Sequence, residues 1–328
     1  MTKSSQPAKS FVVLHDDAPE IGALQGAVLA IGNFDGVHRG HRAVIAAALA
    51  RAEALKRPAA ALTFEPHPRA FLRPGEAVFR LTDEPAKLRL LAGTGLAGVL
   101  IVTFDAALAG LSAEAFVDRV LVGRYAIAAA AIGFDFRFGR NRMGSPAFLA
   151  EQGARRGFSV DIVPPLEDEG RPVSSAAIRT ALAAGRVVEA AELLGYPWFV
   201  SGTVIHGDKR GRKLGYPTAN LRLDPACGLK HGIYAVRIGM GDRRYEGVAS
   251  FGQRPMFDNG APLLEVFLFD FDGDLYDMTI DVAFIAWIRH EMKFESVDDL
   301  VRHMDDDSAR AREALARSGG AFPVLGAV

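Results

Sequence analysis

The sequence predicts an α/β fold in which a Rossmann-like parallel sheet is followed by a small antiparallel β-barrel with a C-terminal helix. Three observations carry that expectation. From Ala27 to about Ile162 short apolar runs alternate with helical segments, the pattern of a parallel sheet with helices on both faces. A glycine-bearing loop joins the first of these runs to its helix, at the kind of strand end where ligands of such sheets bind. Beyond Trp198 the helical spacing gives way to short β-rich runs punctuated by Gly, Pro and Asp.

Taken in order, Ala27 to Ile31 reads as a buried strand, and Arg42 to Lys56 has the apolar spacing of a helix. Between them lies Gly32–Asn33–Phe34–Asp35–Gly36–Val37–His38–Arg39–Gly40–His41. The glycines keep this connection compact and let backbone approach a ligand. The helix behind it turns free N–H groups towards the loop, which makes a natural phosphate site. Three readings of the two imidazoles stand side by side. They are solvated side chains of a first helical turn. They are half of a zinc site, although the clustered third and fourth ligands that zinc asks for are missing. Or they donate hydrogen bonds to a phosphate on which charge develops, in a nucleotide site without a Walker lysine.

Ala59–Phe64, Gly98–Phe104, Ala126–Ile132 and Phe158–Val163 read as further buried strands, each preceded by a helical segment, and Ser145–Pro146 is a helix start. Two prolines stiffen the loop Phe64–Glu65–Pro66–His67–Pro68. Gly133–Phe134–Asp135–Phe136–Arg137–Phe138–Gly139–Arg140 mixes rings, guanidinium groups and glycines; it suits a phosphate-bearing aromatic ligand, or equally a hairpin with core phenylalanines. Ser174 and Ser175 can cap a helix that runs to Ala184 and stops at Gly185. Arg179 lies on its first turns, near any anion held at its N-terminus. A short helix over Arg186–Gly195 ends at Tyr196–Pro197, which sets the expected junction between domains of residues 1–196 and 197–328.

In the second part Phe199–Ile205, Gly232–Ile238, Tyr245–Ser250, Leu264–Phe271 and Thr279–Trp287 read as strands, and Ser296–Ala316 as an amphipathic helix. The loop Gly202–Asn220 imitates Walker glycine spacing at its start, but Asp208 stands where the lysine belongs and no helix follows. Its glycines, lysines and arginines can still cradle phosphates. Thr218 and Asn220 offer neutral oxygens to Mg²⁺, although Pro217–Thr218–Ala219–Asn220 also reads as a plain turn. Glu265 opens an apolar run and is the sole acid between Asp258 and Asp270.

Composition narrows the function classes. Lys+Arg 38 against Asp+Glu 39 lacks the basic excess of nucleic-acid binders. One cysteine, Cys227, excludes an intrachain disulfide framework. The polar Met1–Ser10 carries no secretory apolar core, and the longest uncharged apolar stretch, Leu91 to Phe104, is short for the roughly 18 residues of a membrane span. A soluble, cytoplasmic protein is expected, without nucleic-acid or membrane partners and with self-association left open.

Four separated motifs carry a resemblance. Gly32–His41 resembles the His-x-Gly-His signature of HIGH-type nucleotidyltransferases, in the form found in bacterial bifunctional riboflavin kinase/FAD synthetases. Val173–Arg179 resembles the Ser-Ser-Thr-x-x-Arg motif of the same enzymes, with Ala176 in place of Thr. Gly202–Asn220 resembles the riboflavin kinase signature around Pro-Thr-Ala-Asn. Glu265–Tyr276 is similar to the block that begins with that family's catalytic Glu, while Ser250 and Met256 stand where Asn and Thr are common.

The resemblance implies a transferase that phosphorylates riboflavin with ATP to FMN, then adenylylates FMN to FAD with release of pyrophosphate. The alternative is a flavin- and nucleotide-binding protein that keeps the kinase activity alone. For adenylylation it implies His38 and His41 as catalytic groups. Gly32, Asn33, Phe34, Asp35, Gly40, Ser174, Ser175 and Arg179 would bind ATP, and Phe64, Asp135, Arg137 and Phe138 would bind flavin. For the kinase it implies Glu265 as base. Gly207, Lys213, Gly215, Pro217, Thr218 and Asn220 would hold ATP, the last two of these with its Mg²⁺.

Overall fold

The computed structural model describes residues 10–168, 170–206, 215–253 and 262–328. Two compact units emerge. One comprises the chain up to Val78 with Asp83–Val173 and Val324–Val328; the other comprises Phe79–Thr82 with Ser174–Pro323.

The first unit is built on a six-stranded, wholly parallel sheet of β1 (Val12–His15), β2 (Val28–Ile31), β3 (Ala59–Glu65), β4 (Gly98–Thr103), β5 (Ala129–Gly133) and β6 (Ser159–Val163). The strands lie in the order β1-β4-β3-β2-β5-β6. Helices α1 (Arg39–Leu55), α2 (Pro68–Leu72), α3 (Glu84–Ala92), α4 (Ala106–Gly110), α5 (Ala113–Phe116) and α6 (Pro146–Arg156) connect them. Central strands enclosed on both faces read as unbroken apolar runs, and β2 is buried at every residue. The strand order reverses at β2, so its carboxyl end opens on the crevice where such sheets take ligands. A two-stranded ribbon of β7 (Glu167–Asp168) and β8 (Arg171–Pro172) follows β6.

One face of the sheet carries the main core. Leu29, Ile31, Leu62, Leu100, Val102 and Ile132 pack there with Phe116, Leu121, Leu149 and Phe158. Ser145 caps α6 by accepting the Phe148 N–H at 3.1 Å, and Gly157 ends that helix at φ 84. The edge strand β1 lies outside the expected elements. The first helix begins at Arg39, three residues earlier than its apolar spacing indicates, because an imidazole serves as its cap.

The second unit starts with α7 (Ser175–Ala183) and α8 (Val187–Leu194), which pack on each other, and α8 on the barrel. Its sheet consists of β9 (Phe199–Thr203), β10 (Thr218–Arg222), β11 (Gly232–Met240), β12 (Arg243–Gln253), β13 (Pro262–Leu268) and β14 (Thr279–Arg289). The order β10-β13-β12-β11-β14-β9 is antiparallel throughout. A bridge in which the Ile205 N–H donates to the Asn220 carbonyl at 2.8 Å joins the two edges, so the sheet is nearly closed. Tyr234, Val236, Phe251, Leu264, Val266 and Phe284 fill its interior.

Helix α9 (Val297–Arg317) lies across the outer face, on Ile233, Ala235, Val248, Ile285 and Ile288. Arg237, buried in β11, caps its C-terminal end. Its guanidinium donates to the Ala321 carbonyl at 2.7 Å and to Ser318 Oγ at 3.1 Å, and pairs with Glu246 at 2.8 Å. A cation is favourable at that end of a helix dipole.

Candidate functional site

In the first unit the loop after β2 is held by its own backbone. Phe34, Gly36 and Val37 all take positive φ, at 51, 82 and 37; for Val37, a branched residue, that conformation is strained. The Val37 N–H closes the turn on the Phe34 carbonyl at 3.1 Å. Phe34, Asp35, Val37 and His38 are buried and Asn33 is exposed.

His38 is the N-cap of α1: its Nδ1 accepts the His41 N–H at 3.3 Å. An accepting Nδ1 in a neutral imidazole leaves the proton on Nε2, as a donor. The two imidazoles stack with centroids 3.6 Å apart, and the Phe34 ring meets His41 edge-on at 5.3 Å. Burial, then the neighbouring His38 and Lys87, hold the His41 pKa well below its ordinary value. His41 Nδ1 is buried and has no hydrogen-bond partner among the described residues. The arrangement therefore presents imidazole N–H donors at the N-terminus of a 17-residue helix, with His41 held neutral by its burial. That is a place for a phosphate.

Gly40 sits in a tightly packed place. A Cβ on it would stand 3.1 Å from His38 Cε1 and 3.3 Å from the Val173 carbonyl oxygen. Gly32 has ordinary clearance, its would-be Cβ 3.4 Å from the Phe34 ring.

The expected flavin residues divide into two groups. Phe64 and Phe138 are core residues, in an aromatic cluster with Phe104, Phe116, Phe136 and Phe148. Asp135 and Arg137 are exposed, as is the Phe134 ring. The loop turns back on itself through a bridge between Phe138 and Gly144, with Asn141 and Arg142 at φ 57 and 59. The hairpin reading therefore holds for the end of the loop, while the exposed Phe134, Asp135 and Arg137 lie between β5 and that bridge.

Ser174, Ser175 and Arg179 belong to the second unit. Ser174 caps α7 by accepting the Ala177 N–H at 3.2 Å, and Ser175 is the helix's first residue. Arg179 Nε donates to the Phe79 carbonyl at 2.5 Å.

In the barrel, strand register assembles the site. Thr218, Ala219 and Asn220, read from sequence as a turn, form the start of β10. Asn220 pairs with Glu265 on β13, and Glu265 pairs with Ser250 on β12. Paired residues share a face with Cβ atoms about 4.5–5.5 Å apart. Thr218, two residues from Asn220, lies on that same face opposite Phe267. Glu265 is mid-strand, not at a strand start, and is tolerated because its face is the outer one, while Leu264 and Val266 point into the core. Two neutral oxygen side chains, Thr218 and Asn220, thus share a face with the Glu265 carboxylate.

Tyr216, just before Pro217, packs on the Phe267 ring and donates its hydroxyl to Asp305 of α9, so the closing helix steadies this turn. Gly215 is exposed at φ 82 and Pro217 is exposed. Gly207 and Lys213 lie outside the described residues. The His206 ring lies against that of Tyr276 with centroids 3.9 Å apart. Ser250 enters the sequence reading only as a departure from the family pattern, and strand pairing brings it beside Glu265. Tyr216 and Asp305 have no part in the sequence reading of the site and reach it through a ring contact and a hydrogen bond from α9.

Comparison with known proteins agrees with both halves. A family profile described as FAD synthetase matches residues 20–177, and one described as riboflavin kinase matches residues 194–315. The bifunctional riboflavin kinase/FMN adenylyltransferase of Pseudomonas fluorescens is 40% identical over 93% of this chain and 97% of its own length. The chain belongs to that family. The Escherichia coli K12 protein of the same name is also 40% identical, over 88% of this chain and 93% of its own. A crystal structure described as a macrolide-efflux protein from Streptococcus pneumoniae superposes with a TM-score of 0.82. It is 31% identical and covers 92% of this chain and 99% of its own. No helix among the described residues here is long and apolar enough to cross a membrane.

Proposed function

We propose that the chain makes FMN from riboflavin and ATP on its barrel, and FAD from FMN and a second ATP on its parallel-sheet unit, releasing pyrophosphate. Support for both activities in one chain comes from the two family matches and from relatives of that double name. The kinase-only alternative leaves the FAD synthetase match unexplained. Residues 1–196 and 197–328 are taken as the two catalytic modules.

For the kinase step the supporting observation is the row Asn220–Glu265–Ser250. A ribityl 5′-hydroxyl must lose its proton as it attacks the γ-phosphorus, and Glu265 is the base on that face. Thr218 and Asn220 would hold the nucleotide's Mg²⁺, which when bound neutralises phosphate charge. Among the described residues no group of three or more His, Cys, Asp or Glu side chains is set to hold a metal.

For adenylyl transfer the attacking group is the FMN phosphate, already an anion near neutral pH, so no general base is needed. His38 and His41 stabilise the charge that grows on the α-phosphate as donors fixed in advance. The stack at 3.6 Å and the His38 cap keep both rings in place, with no reorganisation left for the transition state. The triphosphate role of Ser174, Ser175 and Arg179 rests on their sequence pattern. Phe134, Asp135 and Arg137 are the exposed groups of the flavin loop, with Phe64 and Phe138 as its packed base.

The test is chromatography of products from purified protein given Mg²⁺, ATP and either riboflavin or FMN. Riboflavin should yield both FMN and FAD, and FMN should yield FAD. Failure of FMN to become FAD would remove the second activity.

A further inference from the structure

The first unit holds a buried ion pair that the chemistry above does not use. Lys87 of α3 is 2% exposed, and its Nζ donates to Glu65 Oε1 at 2.5 Å and to Thr63 Oγ1 at 3.3 Å. Thr63 and Glu65 are two residues apart on β3, so both face away from the main core. Thr63 Oγ1 in turn donates to the Asn33 carbonyl at 3.1 Å. Asn33 opens the loop that carries the imidazole pair. An unbroken chain of polar contacts thus runs from a dry ammonium to the backbone of the phosphate loop.

A buried ion pair is weak evidence for stability, because apolar residues of similar volume often do as well or better. Its place beneath this loop asks for another reason. We propose that Lys87 is a positioning residue of the adenylyl-transfer step, a cation anchored by Glu65 and Thr63 that fixes the edge of the histidine loop and sets the field around the imidazole pair. This inference rests on the adenylyl-transfer reading of that loop.

The titratable and charged groups around the pair are His38 and Asp35 of the loop, Lys87 of α3 and Glu65 of β3. At the start of α1, Arg39 meets Asp168 at 3.1 Å, and Arg42 Nε donates to the Val37 carbonyl at 3.2 Å. Of these groups His38 and Lys87 act on His41, both against the imidazolium. Burial does most to keep His41 a neutral donor at pH values where an ordinary histidine is protonated, and Lys87 adds to that effect.

The experiment combines histidine Cε1–H NMR titration of the full chain with the pH dependence of kcat for FAD formation at saturating FMN and ATP. The His41 signal is assigned by its loss in His41→Gln. Two variants are compared with wild type. Lys87→Met/Glu65→Gln removes the pair together, and Lys87→Gln removes the cation while keeping a hydrogen-bonding side chain.

In either variant the His41 midpoint should rise measurably towards that of an ordinary histidine. The acid limb of the FAD-forming rate should move up with it, while FMN formation from riboflavin stays unchanged. A merely structural pair would lower the rate without moving either midpoint. An unmoved His41 titration in a folded variant of either kind overturns the proposal. His41→Ala in the same assay separates the two levels of inference. If His41→Ala makes FAD at the wild-type rate, the reading of the loop fails. If it is inactive while the Lys87 variants keep the wild-type acid limb, only the role of Lys87 fails.

Discussion

Replacing Gly40 by Ala separates the stability of the histidine loop from its chemistry. Gly40 is the second residue of α1, where Ala is the better helix former by up to about 1 kcal/mol. Stability should therefore hold or rise slightly. The new methyl carbon, however, would lie 3.1 Å from His38 Cε1, 3.2 Å from His38 Nδ1 and 3.3 Å from the Val173 carbonyl oxygen. Comfortable carbon contacts begin at about 3.5 Å, so roughly 0.4 Å must be absorbed. The Val173 side is backbone, tied to the Leu166 carbonyl by its own N–H at 2.9 Å. The His38 ring has to give, against its stack on His41 and its cap bond. A 1 Å misplacement of a catalytic group costs about 10²-fold, so a shift of this size should cost on the order of 5–10-fold in kcat for FAD formation. That corresponds to about 1–1.4 kcal/mol of barrier. The assay is FAD production from FMN and ATP beside a thermal melt, with FMN production from riboflavin as the internal control. A wild-type rate of FAD formation would refute the packing argument. So would a parallel fall in both activities and in the melting temperature, because the clash would then be unfolding the protein.

Other outcomes follow from the same geometry. His41→Ala should lower FAD formation by about 10²–10³-fold while FMN accumulates, as measured by product chromatography. Glu265→Gln should lower FMN formation by about 10²–10⁴-fold and leave FAD formation from supplied FMN intact; the reverse pattern would mean the two units are misassigned. Because His41 is held neutral by burial, the unfolded chain binds a proton there that the native state refuses. Its contribution to stability is whole above about pH 6.5 and declines as pH falls below that value. Wild type should thus lose more thermal stability between pH 7 and pH 5 than His41→Gln, and equal losses would count against a buried neutral His41. A fragment beginning at Trp198 should melt below one beginning at Ser174, since it discards Val187, Ala190, Leu193 and Leu194, which are buried on α7 and the barrel; equal melting would show that α7 and α8 are dispensable to the barrel.

The alternation of strands and helices in the first unit was legible because each strand is an apolar run bounded by turns, as at Ala59–Glu65. The loop at the end of β2 was legible because its glycines and imidazoles are adjacent in the chain. What escaped has a common physical cause, which is partnership at a distance. Thr218–Asn220 is a poor strand by propensity, following a glycine and a proline, yet pairing with β13 makes it one. Val12–His15 is a strand only because β4 offers it an edge. Lys87 and Glu65 are 22 residues apart, and neither looks unusual until both are found dry. The start of α1 was misplaced because capping by an imidazole nitrogen falls outside the familiar Ser, Thr, Asp and Asn preference.

If Glu265 is the base and Thr218 and Asn220 hold the cation, as proposed, the row Asn220–Glu265–Ser250 makes their spacing a ladder spacing, about 4.8 Å per strand. No loop sets it. Insertions in the connections around these strands leave that distance untouched, whereas one residue added within β10 would turn Thr218 and Asn220 inward and bring Ala219 out beside the carboxylate. On the proposed roles, the connection between β9 and β10 is free to change in length and sequence while the reacting groups stay locked in the register of three neighbouring strands.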